Sequence, residues 1–187
     1  MKADTPLQPT LWRTCRVLAN RTRLQMLRLL LQEPGLTVSG VAQRLHLPLP
    51  VASQYLRAME ARGLLTVRRS GRRVQYQPPS ADASGPGAVL LAALRQVFHR
   101  ESRPEETLFK LATAFTHPRR IEVFRALQQQ PRNVQQLQTA TRLSHWALRR
   151  HLRKLEQRGF VAQQQSHYAV APVAGTFERA LARLAAG

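Results

Sequence analysis

LANRTRLQMLRLL (residues 18–30) returns as FTHPRRIEVFRAL (residues 115–127), and VASQYLRAMEARGL (51–64) returns as ALRRHLRKLEQRGF (147–160). Each copy closes on a short β-like segment with a tyrosine, Tyr76 or Tyr168. A repeat of this length exceeds a solenoid unit, so the reading is two similar small domains in tandem. The boundaries follow: residues 1–78, a linker and amphipathic helix over 79–103, and residues 104–187.

Local signals order the elements. Residues 1–8 read as a loose tail, and a first helix spans 9–19. Asn20 suits the N-cap of a second helix with Leu24, Leu27, Leu30 and Leu31 as its apolar stripe, stopped by Pro34-Gly35. Thr37 caps a short third helix. Pro50 fits the first turn of a fourth, which ends at Gly63. Strands are expected over 64–69 and 73–77, with Gly71 in the turn. Residues 78–87 are Pro-, Ser-, Ala- and Gly-rich, and an amphipathic helix over 88–100 follows.

The second copy repeats the order. A helix spans 104–114, Pro118 opens the next, and Val134, Leu137 and Ala140 mark a short third. Ser144 caps a fourth helix with Leu148, Leu152 and Leu155 inward, ended by Gly159. A hairpin is expected over 160–164 and 167–170, and a last helix over 173–185. The fold class is mainly α with small β-hairpin wings, as tandem winged helix-turn-helix domains.

Charge narrows the partner. The formal net charge is +19, and both halves are basic: 13 Lys and Arg against 3 acidic residues up to position 80, and 16 against 7 beyond it. A polyanion such as double-stranded DNA suits such a balance. A helix fits the major groove and presents side chains to base edges, while a basic hairpin grips phosphate. By spacing, Ala52, Leu56 and Met59 face inward in the first fourth helix, so Ser53, Gln54 and Arg57 face out. The matching positions of the second are Arg149, Arg150 and Arg153, beside Lys154. The first wing carries Arg68, Arg69, Arg72 and Arg73; the second carries Gln163, Gln164, Gln165, Ser166 and His167. The heads are therefore expected to be non-equivalent, the first holding charge on its wing and the second on its helix.

The wording over 18–30, 38–45, 51–64 and 68–76, especially LANRTRLQMLRLL and SGRRVQY, resembles the ArsR-type bacterial transcription regulators across residues 11–78. The second copy, 108–171, is similar in fold with a more eroded signature. The resemblance implies a dimeric or pseudo-dimeric repressor whose operator binding responds to an effector, here unidentified. Metal-sensing members of that family carry a pair of cysteines one residue apart in the third helix, but here Thr37 and Ser39 stand at the matching positions and offer no thiolates. No metal and no cofactor is expected.

The helices over 9–19, 88–100 and 173–185 carry apolar stripes and are expected to join the copies within one chain or to join two chains as a homodimer. Other readings are a sequence-tolerant, nucleoid-type DNA binder and a winged-helix protein-interaction module. An enzyme is not expected: Asp occurs at positions 4 and 82, and there is no Gly-rich phosphate loop or nucleophile–base pairing. The single cysteine, Cys15, excludes an internal disulfide. With no membrane-length apolar run and no signal-peptide core, a cytoplasmic location is expected.

Overall fold

The computed structural model describes residues 10–71, 73–80 and 82–187; the tail read over 1–8 and the wing residue Arg72 lie outside them. Helix α1 (Leu11–Leu18) buries Leu11, Cys15 and Leu18. Helix α2 (Arg21–Gln32) starts at Asn20, whose side chain accepts a hydrogen bond from the Arg23 N–H at 2.9 Å. Such a cap stabilises a helix by about 1 kcal/mol. The buried set of α2 differs from the expected stripe: Met26 is buried, while Leu31 is only half-buried. Helix α2 is packed from more than one side, by α4 of its own copy and by α6 of the other.

Strand β1 (Leu36–Thr37) leads into α3 (Val38–Arg44), capped by Thr37, and then α4 (Leu49–Glu60). Gly63 follows α4 at φ 67°, the left-handed geometry that ends a helix and that glycine adopts without strain. Strands β2 (Thr66–Ser70) and β3 (Arg73–Gln77) form the first wing, and β1 joins them in the order β1-β3-β2. The expected strand start at 64 shifts to 66, because Leu64 and Leu65 turn into the core.

Helix α5 (Pro86–Arg100) precedes α6 (Glu105–Ala112), which tightens into a 3-10 turn over Thr113–Phe115. Helices α7 (Pro118–Gln129), α8 (Val134–Thr141) and α9 (His145–Gln157) follow, then strands β4 (Val161–Gln164) and β5 (His167–Val170), and finally α10 (Thr176–Ala186). Ser144 caps α9 through the Ala147 N–H, and Asn133 and Gln136 form a reciprocal capping box on α8. In α8, Ala140 is exposed and Thr141 takes the buried place, its hydroxyl donating to the Leu137 carbonyl. An Arg132–Tyr168 bridge reproduces in the second copy the Leu36–Tyr76 pairing of the first. Phe115, Phe124 and Phe160 pack edge to face at its centre, with centroids 4.8 to 6.3 Å apart.

The helices outside the reading heads pack on their own repeat counterparts. Helix α1 lies against α6 and the 3-10 turn, and α5 lies against α10. Apolar burial is therefore continuous from one copy into the other. Charged contacts line the seam: Arg21 meets Glu106 at 2.5 Å and stacks over Phe109, while Arg28 meets Glu105 at 3.1 Å and donates to the Ser102 carbonyl at 2.7 Å. Helix α5 is also held close to the end of α4. A Cβ on Gly87 would stand 2.1 Å from the Arg62 carbonyl oxygen, a contact only glycine permits.

Candidate nucleic-acid interface

The first reading helix is α4. Its inner face buries Ala52, Leu56 and Met59, which turns Gln54 and Arg57 to solvent and leaves Ser53 half-buried. Arg57 lies back along the helix, its Nε donating to the Ser53 carbonyl at 3.4 Å. The wing beside it places Arg68, Arg69 and Arg73 in the open. Cross-strand pairs Arg68–Gln75, Arg69–Val74 and Ser70–Arg73 set their directions. Because strand side chains alternate, Arg68 and Arg73 share one face and Arg69 takes the other, so the wing is cationic on both sides.

The second reading helix, α9, buries Leu148, Leu152 and Leu155 and exposes Arg149, Arg150 and Arg153. Lys154 is half-buried. Its wing has a neutral tip: Gln165 adopts φ 55°, and the Gln163 side-chain amide donates to the Gln165 carbonyl at 3.0 Å. A groove of about 590 Å³ runs between α9 and this wing, with Trp146, Arg149, Arg153 and Gln163 in its walls.

Sequence spacing did not single out two further residues. Among the described residues, two large apolar side chains are exposed, Leu49 at 53% and Trp146 at 72%. Both sit in the first turn of a reading helix, where a helix-turn-helix contacts base edges. Trp146 is further fixed by the Arg150 guanidinium, 5.1 Å from its ring centroid. The available signal was a tryptophan on the polar face of an otherwise regular amphipathic helix.

The histidines divide. His117 caps α7, its Nδ1 accepting the Arg119 N–H at 3.2 Å, and His151 is buried against it with ring centroids 4.9 Å apart. Burial, and then the neighbouring His117, Arg120, Arg150 and Arg119, depress the His151 imidazole to about 4. Thr37 and Ser39 hydrogen-bond to each other at 3.0 Å. Cys15 is fully buried, and burial pushes its thiol far above the usual range, which leaves it a poor nucleophile.

With this geometry in place, two family matches fall on the two heads. Residues 20–66 match winged helix-turn-helix DNA-binding proteins, and residues 117–163 match the arsR family of bacterial regulatory proteins. The arsR match thus lies on the copy whose signature was read as the more eroded. No curated protein and no solved structure matches the chain. The chain carries two winged helix-turn-helix domains in tandem, of a DNA-binding regulatory type. Among the described residues, no helix is long and apolar enough to cross a membrane.

Proposed function

We propose that this chain is a sequence-specific, double-stranded DNA-binding transcriptional repressor of the cytoplasm, acting as an intramolecular pseudo-dimer. Its heads occupy residues 1–78 and 104–187, with 79–103 between them. The observation that carries this reading is the pairing of α1 with α6 and α5 with α10. Those contacts join two reading heads without a second chain.

The division of labour follows from the side chains. Ser53 and Gln54 offer neutral donors and acceptors to base edges, and Arg57 suits guanine or phosphate. Arg68, Arg69, Arg72 and Arg73 hold phosphate. In the second head Arg149, Arg150, Arg153 and Lys154 supply charge from the helix itself, and Trp146 makes apolar contact with thymine methyl groups, as Leu49 does in the first head. Unlike reading faces require unlike half-sites, so the operator is not a clean palindrome.

Selection from random duplexes tests this directly. The expected result is one enriched site with two dissimilar half-sites about one helical turn apart, bound by a single 21.2 kDa chain in sedimentation. Identical half-sites symmetrically protected by one chain contradict the division of labour. Binding without enrichment supports a second reading, a sequence-tolerant DNA binder, which the arginine-rich face of α9 favours.

A further inference from the structure

Between the start of α7 and the flank of α9 lies a cleft of about 300 Å³, walled by His117, Arg120, Arg150, His151, Arg153 and Lys154. No acidic residue lines it among the described residues. We propose that this cleft is an oxyanion site that takes a phosphate group.

Its donors are already built. The Arg120 Nη2 donates to the Thr116 hydroxyl at 2.5 Å, and among the described residues its buried Nε has no partner. His117 accepts a backbone N–H at Nδ1, so the neutral ring carries its proton on Nε2 and donates from there. Lys154 and Arg150 add an ammonium and a second guanidinium, the groups that bind phosphate best.

The electrostatics agree with the geometry. Burial acts first on His117, His151, Arg120 and Lys154, and the cationic neighbours then push each of them further from its charged form. Glu122 pulls His117 the other way, but that carboxylate is engaged by Arg119 at 2.7 Å. A dianion in the cleft removes this mutual repulsion.

The first copy is a control within the molecule. Arg23 stands where Arg120 does, and its Nε too is unpaired among the described residues. There, however, the guanidinium lies 4.7 Å from the Tyr55 ring centroid and donates to the Val17 carbonyl at 3.2 Å. Asn20, Gln54, Tyr55 and Ala58 replace His117, Arg150, His151 and Lys154. The same backbone thus builds a closed structural contact once and an open cationic cleft once.

The cleft's ligand has two possible sources, a free phosphorylated compound or the DNA backbone, and one experiment separates them. In the full chain, the imidazole C–H signals of His117 and His151 are followed by NMR. Sodium pyrophosphate is titrated against sodium chloride at equal ionic strength. Saturable shifts are expected with pyrophosphate, and the His151 midpoint should rise from about 4 by about one unit or more. The Arg150→Gln, Lys154→Ala double variant carries residues the first copy already accommodates, and circular dichroism verifies its fold. Its pyrophosphate affinity should drop about tenfold or more. Adding duplex DNA then assigns the source: displacement of pyrophosphate means a backbone phosphate occupies the cleft, and simultaneous binding means a free compound does. Histidine signals that follow ionic strength alone, or an unchanged double variant, overturn the proposal. A chain that binds pyrophosphate but no duplex defeats the functional reading and leaves the cleft standing.

Discussion

If both heads engage one duplex, salt will report it. The exposed or half-exposed cations of the two reading surfaces are Arg57, Arg68, Arg69, Arg73, Arg149, Arg150, Arg153 and Lys154. Eight phosphate contacts release condensed counterions with a slope of about −0.9 each, so log K should fall with log salt at roughly −7. Between about 50 and 200 mM salt, affinity then drops on the order of ten-thousand-fold. Fluorescence anisotropy on a labelled duplex measures the slope. Replacing Arg68, Arg69 and Arg73 by Ala should bring it to about −4.5, and replacing Arg149, Arg150 and Arg153 should do the same. These side chains make no ion pairs among the described residues, so the fold should tolerate their loss. If one triple variant keeps the parental slope, those three arginines do not touch phosphate. A parental slope near zero refutes the reasoning for both.

Three further outcomes are expected. Replacing thymine by deoxyuridine at a selected site should weaken the parental chain but not Trp146→Ala; equal losses in both would remove Trp146 from thymine reading. Gly87→Ala forces a methyl against the Arg62 and Gly63 backbone, so chemical denaturation should show about 1–3 kcal/mol of destabilisation; no loss would mean α5 is not pinned there. His151 binds a proton more weakly folded than unfolded, so its contribution is full above about pH 6.5 and is lost as pH falls toward 4. That amounts to at most about 3 kcal/mol, and His151→Tyr, the residue at this place in the first copy, should flatten the acid limb of Tm against pH. A variant as acid-sensitive as the parent would place the titration elsewhere.

Much of this molecule is local and therefore readable in order. Asn20, Thr37 and Ser144 cap helices as expected because an N-cap bond spans three residues. Gly63 and Gly159 end the two reading helices because a left-handed residue is needed there whatever the tertiary context. The outward setting of Gln54, Arg57, Arg149, Arg150 and Arg153 follows from helical period alone.

Tertiary structure decided the rest. A two-residue strand such as β1 has no period to detect and exists because β3 lies beside it. The burial of Met26 and Thr141 depends on neighbours remote in sequence. So do the seating of α1 on α6 and of α5 on α10, and the meeting of His117 and Arg120 with His151, Arg150 and Lys154. Sequence alone established two winged helix-turn-helix copies and their charge, because caps, helical period and composition act over a few residues. Their mutual arrangement arises from contacts between the copies, and the cleft beside α9 from the meeting of α7 and α9 within the second, and neither separation leaves a local trace.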